Sequence, residues 1–457
     1  MPGCNTTLLR TCVVIGVLFV SCISAHAKET GKNGLLPVMD KDFACTSPEA
    51  AQRYQRDYSI NVRSFGGDER CNSDIDTKKL YNDLQIVEEG RFGGSDTNVF
   101  IQNFVDRDRY YNWLSSMTYG VRRGHDVPWA TAYNSGGYFT MQDGWTKLST
   151  LGRVGTIIHE ARHTEGYGHR ACNYGPYSDT NLPGCDRSVQ EGGSHGVEME
   201  YYSRVVLQGV NFHPAYKAMA RLMALGRANF VFNQKAMGTQ DRLLALAGQQ
   251  AHLISETDSL QAEIPSPVGF VLKRTSFGAS LFSGQEAIAL DLYAHEDEEM
   301  PLSDDFSYFK IIHMEQHIPA IDMEEFDIRD KRYLVSLDDQ GNVRSFVFRN
   351  AQWSRPLSIQ GAVRLTTVAP NGVQGLFVVK QDGRLCRLDP DRMSCPDVAK
   401  GLWPQDVKAM TYLGQELYHL KTDGQVIHSV TGQGFAPLQG QIVEQMTSVP
   451  TYDSFQL

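Results

Sequence analysis

Residues 159–169 contain three His and one Glu at a spacing that could hold a metal ion. They read His-Glu-Ala-Arg-His-Thr-Glu-Gly-Tyr-Gly-His, with His159 and His163 four residues apart and His169 six residues further on. On an α-helix, His159 and His163 lie about 40° apart around the axis, so both imidazoles can reach one ion. Glu160 would lie beside that ion. This combination is typical of a zinc site at which a carboxylate activates water for hydrolysis.

His169 can bind the same ion only if the helix ends before it. A continuous helix would carry His169 about 9 Å beyond His163, too far for a zinc–nitrogen bond of about 2.0 Å. Gly166 is predicted to reverse the chain, because glycine readily adopts positive φ at a helix C-terminus. Three protein ligands leave a fourth position for water. Glu160 is predicted to take a proton from that metal-bound water as it attacks a carbonyl.

The residues before the motif predict the helix that positions it. Apolar side chains recur at helical spacing, while His159 and His163 fall on roughly the opposite face. The ligands are therefore expected to face a cleft and the apolar stripe to face the core. The stripe consists of Leu151, Val154, Ile157, Ile158 and Ala161.

The pattern HExxHxxGxxH resembles the signature of the metzincin zinc metallopeptidases, over residues 159–169 only. The resemblance implies a zincin-like catalytic domain in which Glu160 is the general base. It also implies three zinc ligands, namely His159, His163 and His169.

The same resemblance implies a turn downstream that places a Met beneath the metal, for which Met199 is the candidate. Tyr201 follows two residues later and is similar to the Tyr that stabilises the oxyanion in some metzincin subfamilies. Residues 194–206, however, have the pattern of a helix. A helix there would present Glu198 as an alternative third ligand in place of His169. His195 is expected to be a surface residue or to support a ligand.

The N-terminus predicts export. An apolar run at residues 12–23 is followed by Ser-Ala-His-Ala, so residues 1–27 are predicted to be a signal peptide cleaved before Lys28. The run is too short to span a bilayer, and no later segment is apolar enough. We expect a secreted, periplasmic or cell-envelope protein without an integral membrane segment. Cys22 offers the alternative of a lipid-anchored lipoprotein.

Six cysteines follow the predicted signal peptide, and an exported chain permits disulfides. They fall into three local groups along the sequence. The simplest pairing joins Cys45 with Cys71, Cys172 with Cys185, and Cys386 with Cys395.

The composition is that of an ordinary globular protein. The 457 residues are 41% hydrophobic and 21% charged, with a net charge of −10. This charge argues against nucleic acid as a partner. The acidic cluster at residues 295–299 is expected to be a solvated loop.

The sequence predicts an α+β protein in several parts. After the signal peptide, residues 28–95 form an N-terminal segment or a prosegment, and residues 96–264 form the metallopeptidase-like domain. Residues 137–141 are predicted to form a strand, and residues 214–264 two or three helices. Residues 265–457 form a β-rich module.

That module contains a repeat. Residues 333–343, 376–385 and 417–426 are similar, and their turn glycines, Gly341, Gly383 and Gly424, are 42 and 41 residues apart. Each copy is predicted to be a β-hairpin. A period near 41 residues resembles the blades of a β-propeller, although residues 270–330 would have to supply further, divergent copies. The module is expected to bind an unknown partner or only to stabilise the protein.

Together these features predict an exported zinc-dependent endopeptidase that acts on peptide or protein substrates. One alternative is an amidase or peptidase that acts on cell-wall peptides. Another is a non-enzymatic binding protein whose zinc site is structural.

Overall fold

The computed structural model describes residues 34–451 with several gaps. The gaps are 96–97, 128–129, 174–177, 179–182, 235–239, 249, 256–258, 264–269, 276–277, 284–285, 291–319, 329–330 and 348–351. The predicted signal peptide and the acidic cluster at residues 295–299 lie outside the described residues. Within the described part of the chain, no helix combines the length and the apolar character needed to cross a membrane.

The described residues form a mixed α+β protein with a helical half and a β-rich half. The helical half holds seven α-helices: α1 Pro48–Asp57, α2 Asp76–Glu89, α3 Tyr110–Met117, α4 Asp143–Thr146, α5 Thr150–Thr164, α6 Ser194–Gln208 and α7 Pro214–Phe230. It also holds a small sheet of β1 Gly120–Arg123, β2 Ala132–Ser135 and β3 Tyr138–Met141. In this sheet β3 is central, parallel to β1 and antiparallel to β2.

The predicted motif helix is α5, and local sequence explains both of its ends. Ser149 accepts a hydrogen bond from the backbone N–H of Gly152, which satisfies a free donor of the first turn. At the other end, Gly166 has a φ of +91° and its N–H donates to the carbonyl of His163. The predicted chain reversal at Gly166 is therefore confirmed.

Residues 34–95 belong to the same hydrophobic core as the motif helix. α2 packs on α5, and a buried ion pair joins them: both carboxylate oxygens of Asp83 accept from Arg153 Nε, at 3.1 and 3.0 Å. Asp40 accepts a further hydrogen bond from Arg153 at 2.7 Å. The apolar members of this shared core include Tyr54, Leu80, Leu84, Val154 and Ile158.

The β-rich half begins earlier than predicted. Strands occupy Gln240–Ala247 (β6), Gln250–Ile254 (β7) and Ser259–Glu263 (β8), so the prediction of helices over residues 214–264 is correct only for α7. β6 is central in its sheet, between β7 and the C-terminal strand β24, Gln445–Thr451. Leucine and alanine favour helix locally, but this long-range pairing buries β6 on both faces and decides its conformation. The β-rich half therefore starts at about residue 240 and not at 265.

Two short strands after the motif helix, β4 Arg170–Ala171 and β5 Pro183–Cys185, pair with each other, and the remaining strands of the β-rich half form four more sheets. These strands are β9 Val271–Thr275, β10 Gly278–Ser283, β11 Glu286–Leu290, β12 Asp322–Ile328, β13 Lys331–Leu337, β14 Asn342–Val347, β15 Gln352–Trp353, β16 Leu357–Ser358, β17 Ala362–Val368, β18 Gln374–Lys380, β19 Arg384–Arg387, β20 Asp397–Leu402, β21 Val407–Leu413, β22 Glu416–Lys421 and β23 Val426–His428. The sheets are β9–β11, β12–β16, β17–β20 and β21–β23.

The three sequence repeats form the predicted hairpins. They are β13–β14, β18–β19 and β22–β23, each antiparallel. Their turn glycines, Gly341, Gly383 and Gly424, have φ of +79°, +81° and +88°, a conformation that only glycine adopts readily.

Neighbouring sheets contact each other in a closed cycle. The contacts run from β24 to β9, then to β12, β17 and β21, and back to β24. A cavity of about 790 Å³ lies among these strands. Lys273 on β9 crosses between two sheets and pairs with Asp322 and Glu324 on β12, at 2.8 and 2.6 Å.

The three predicted disulfides are present. They join Cys45 to Cys71, Cys172 to Cys185, and Cys386 to Cys395.

Candidate metal centre

The structure brings the three predicted ligands together. The ring centroids of His159 and His163 are 4.9 Å apart, and His169 lies 4.9 Å from the first and 4.7 Å from the second. The Nε2 atoms of His159 and His169 are separated by 3.0 Å. One nitrogen from each ring lies close enough to the others for all three to bind a single ion.

The hydrogen bonds of these rings fix which nitrogen is free. Each Nδ1 lies against an oxygen that can only accept: His159 against Glu198 Oε2 (3.3 Å), His169 against Asp186 Oδ1 (3.2 Å), and His163 against the carbonyl of Tyr167 (2.5 Å). Each of these oxygens is satisfied by a proton on Nδ1, and the hydroxyl of Ser194, 3.0 Å from Nδ1 of His163, can accept as well. In the neutral rings Nε2 is then bare, and the Nε2 atoms of His159 and His169 face each other.

Two such lone pairs only 3.0 Å apart repel each other unless a cation lies between them. Nitrogen ligands about 2.0 Å from a tetrahedral zinc would be separated by about 3.3 Å, close to the observed distance. The arrangement of the rings thus fits a bound divalent metal, and the outer carboxylates and carbonyl are typical of groups that orient metal-binding imidazoles.

Two of the three rings, those of His159 and His163, are held in the neutral form that a metal ligand requires. Burial, together with the neighbouring His169, lowers the pKa of His163 to about 4. Burial and the nearby His195 hold the pKa of His159 well below its usual value. A metal ion therefore has little competition from protons at neutral pH.

Glu160 lies one residue from the first ligand, in a buried position. The residue is only 4% exposed, and Oε2 of its carboxyl has no hydrogen-bond partner among the described residues. Burial, and to a lesser extent Glu198, raise the pKa of Glu160 to about 8. A buried and unpaired carboxyl oxygen is unusual, and it fits a group that meets a further molecule at the site.

Glu198, the alternative third ligand, serves as a support for other side chains. It is fully buried on α6, and Oε1 accepts from Tyr202 at 2.9 Å and from Arg227 at 2.7 Å. Oε2 lies against the Nδ1 atoms of His159 and His195. Burial would raise its pKa, but Arg227 and the imidazoles hold the pKa well below the usual value. His159, His195 and Glu198 nevertheless form a second group whose geometry could hold a metal.

His195 packs against two of the ligand rings. Its ring centroid lies 4.4 Å from that of His159 and is stacked 4.6 Å from that of His169. Its Nε2 lies 3.1 Å from the carbonyl of Gly184, and its Nδ1 lies 3.4 Å from Oε2 of Glu198. This position agrees with the expectation that His195 supports a ligand.

Asp186 is a residue of the site that the sequence did not predict. Oδ1 accepts from His169, and Oδ2 accepts from the backbone N–H groups of His195 and Gly196 at 2.8 and 3.1 Å. Burial opposes ionisation, but the bond from His169 and the nearby imidazoles lower the pKa of Asp186 to about 2. Its position directly after Cys185 was the available signal, because the predicted disulfide brings that segment close to His169.

Met199 and Tyr201 lie within helix α6. The turn that the resemblance implies at Met199 is therefore wrong, because both residues lie in regular helix and are fully buried. The ring of Tyr201 packs edge-on against Phe92 and Tyr110, with centroids 5.9 and 5.0 Å apart. Its hydroxyl has no partner among the described residues. A role for Tyr201 at the oxyanion stays a prediction.

Comparisons with known proteins identify no relative. No protein-family model and no curated protein matches the chain. Similar solved structures include BBS1N in complex with ARL6DN, soaked with mercury, which is 11% identical over 42% of this chain and 59% of that chain, with a TM-score of 0.22. Apo AztD from Citrobacter koseri is 9% identical over 46% of this chain and 62% of that chain, with a TM-score of 0.21. A further structure of Citrobacter koseri AztD is 9% identical over 47% and 61%, with a TM-score of 0.20. The chain thus spans about 60% of these structures, and likeness this low carries no argument.

Proposed function

We propose that the protein is an exported zinc-dependent endopeptidase. His159, His163 and His169 would hold the zinc, and Glu160 would be the general base. One observation carries this proposal: three imidazoles anchored through Nδ1 bring one nitrogen each within reach of a single ion, and the residue after the first of them has an unpaired carboxyl oxygen.

Zinc at this point would supply a Lewis acid that polarises a carbonyl and makes water more acidic. Burial raises the pKa of Glu160 to about 8, and the positive charge of a bound zinc would favour its ionised form. That carboxylate would accept the proton of the attacking water and return it to the leaving amine, as a general base and then a general acid. The fixed Nδ1 partners would keep the rings oriented throughout the reaction.

The contacts of Glu198 favour a catalytic site over a structural one. Structural zinc sites have four protein ligands, whereas catalytic sites keep one position open. Both oxygens of Glu198 are already bonded to protein groups, and Nε2 of His195 lies against the carbonyl of Gly184. These contacts favour the set of His159, His163 and His169 over the second group of His159, His195 and Glu198, and a set of three ligands favours an enzyme over a binding protein with a structural zinc.

We also propose that the β-rich half is a propeller-like module of five blades. The cyclic order of sheet contacts and the pairing of the C-terminal strand β24 with β6 support this assignment, since propellers commonly close by joining the two chain ends in one blade. The three sequence repeats account for three blades. The sheet of β6, β7, β8 and β24 and the sheet of β9, β10 and β11 would be the two further, divergent blades. The three disulfides support export, because disulfides persist in oxidising compartments.

The proposed function is tested by replacing Glu160 with Gln in the full chain. We expect the variant to keep its zinc and to lose cleavage of a peptide library by about 10²- to 10⁴-fold, the usual contribution of a general base. Glu89→Gln is the matched control, since Glu89 is an exposed carboxylate at the end of α2 and should leave cleavage unchanged. Equal cleavage by wild type and Glu160→Gln would refute the assignment.

Two further results separate the alternatives. A cell-wall enzyme should clear a peptidoglycan gel and leave denatured casein intact, whereas the proposed endopeptidase should do the reverse. A binding protein with a structural zinc should retain the metal and cleave neither substrate.

A further inference from the structure

We propose that the Cys172–Cys185 disulfide positions the third metal ligand, so that its loss weakens metal binding without unfolding the protein. This inference rests on the proposed function for its ligand set. It concerns the segment of residues 165–173, which we call the ligand arm. The arm leaves the end of α5, carries His169 and reaches the disulfide three residues later.

Almost none of the arm's side chains are buried in the protein interior. Of its nine residues, Cys172 is the only one that is buried, and the others are half-buried or exposed. Gly166 and Gly168 add backbone freedom close to the ligand. Burial of apolar side chains is the main force that orders a surface segment, and here that force is nearly absent. Cys172 is thus the arm's anchor in the protein interior.

The other half of the disulfide lies in a firmly fixed segment. Asp186, next to Cys185, donates its backbone N–H to the carbonyl of Val231 at 2.8 Å, and its own carbonyl accepts from Asn233 at 2.9 Å. These bonds join it to the chain that leaves helix α7. The short strands β4, Arg170–Ala171, and β5, Pro183–Cys185, pair antiparallel and are covalently joined by the disulfide. Because Cys185 is held in place, the disulfide also holds Cys172, and with it the ligand arm, in place.

The disulfide also determines the bond between His169 and Asp186. His169 lies three residues before Cys172, and Asp186 lies one residue after Cys185. One covalent link therefore holds both the ligand and the carboxylate that orients it. Without the disulfide, bringing the two chain segments together would cost conformational entropy. That cost would reduce the free energy of metal binding, because the ion can bind a third nitrogen only when the segments are in place.

Other contacts also act on the arm. The carbonyl of Tyr167 accepts from Ser194 at 3.3 Å, and Arg170 pairs with Glu191 at 2.8 Å. The side chain of Asn233 donates to the carbonyl of Ala171 at 2.8 Å and accepts from the N–H of Asn173 at 2.7 Å. The guanidinium of Arg162 lies 3.8 Å from the ring centroid of Tyr167. The Asn233 bonds are exposed, so water competes for them and each contributes modestly.

The test measures zinc affinity in the full chain by competition with a chelator, beside circular dichroism to confirm folding. The variant is Cys172→Ala with Cys185→Ala, and the matched control is Cys386→Ala with Cys395→Ala, whose disulfide lies in the β-rich half. Loss of groups that orient a ligand typically costs about 10- to 100-fold in metal affinity. We expect a loss in that range for the first pair and less than twofold for the control.

A third variant distinguishes a disulfide that positions His169 from one that only stabilises the protein in general. His169→Ala should weaken zinc binding by itself, and adding the Cys172 and Cys185 changes should cause no further loss, because both act through the same ligand. Unchanged affinity in the cysteine variant would overturn the proposal. Losses that multiply in the combined chain would overturn it too, since the disulfide would then act elsewhere.

If the cysteine variant does not fold, Asn233→Ala replaces it, because that change loosens the same arm with the disulfide intact. A loss under tenfold supports the disulfide as the main restraint, and a larger loss assigns that role to Asn233 and overturns the proposal. Zinc affinity is measured without turnover. An inactive protein that still shows the coupling would therefore refute the peptidase assignment alone.

Discussion

Replacing Asp186 with Asn should weaken zinc binding strongly while lowering the unfolding free energy of the metal-free protein only slightly. The carboxylate serves two groups at once: Oδ1 accepts from His169, and Oδ2 accepts from two N–H groups of the first turn of α6. Asn has one oxygen and one NH₂ in the same place. Only one of the two tasks can therefore keep its acceptor.

The helix is expected to keep the oxygen, because Asn satisfies the N–H groups of a helix start about as well as Asp. The NH₂ would then face Nδ1 of His169 and require it to accept. In a neutral ring the proton would move to Nε2, the atom that should bind the metal.

The two effects have different magnitudes. Loss of the negative charge at the start of α6 should cost about 0.3 to 1 kcal/mol of unfolding free energy without metal. Loss of the orienting carboxylate should weaken zinc binding by about 10- to 100-fold, or about 1.4 to 2.7 kcal/mol.

Chelator competition gives the affinity, and denaturant unfolding of the metal-free protein gives the stability. An affinity within twofold of wild type would refute the reasoning that Asp186 fixes the tautomer of His169. A variant that loses several kcal/mol of stability with unchanged affinity would show that the carboxylate serves the helix alone.

Three further changes test the interior around α5. Asp83→Asn should lower the unfolding free energy by about 3 to 5 kcal/mol in denaturant titration, because it leaves the buried charge of Arg153 undercompensated. Gly155→Ala should cost about 1 to 3 kcal/mol in the same measurement, because the added Cβ would lie 1.8 Å from the hydroxyl of Tyr202. Lys78 is buried, and burial lowers its pKa to about 8 from 10.5. Since the unfolded chain binds the proton more tightly, stability should rise between about pH 8 and 10.5, and Lys78→Met should abolish that rise.

Each of these predictions has a result that contradicts it. For Asp83→Asn it is a change below 1 kcal/mol, and for Lys78→Met it is a pH profile parallel to that of wild type. For Gly155→Ala the control is Gly152→Ala, whose added Cβ would be no closer than 3.2 Å to any neighbour. Equal costs at the two positions would exclude the clash with Tyr202 as the cause.

Short-range sequence patterns predicted much of the candidate metal site. The spacing of His159 and His163, the apolar stripe before them and the glycine after them each depend on a few neighbouring residues, and the structure has the corresponding helix and bend. The hairpins of the three repeats were predictable for the same reason, because a tight turn fixes the pairing of adjacent strands.

Predictions failed where distant residues decide the conformation. The segment of β6 is rich in leucine and alanine, which favour helix, yet it lies between β7 and a strand about 200 residues later in the chain. The turn implied at Met199 came from a short motif match, whereas the surrounding residues form continuous helix.

The sequence by itself determined the candidate ligand residues, the helix that carries two of them, and the cysteine pairs, because each of these follows from residue type and short-range spacing. Only the tertiary structure decided which nitrogen of each imidazole is free, that Glu198 supports His159, and that Asp186 joins the ligand arm to α6. Those roles depend on hydrogen bonds between groups up to 39 residues apart, and a buried proton takes its position from whichever acceptor the fold brings next to it.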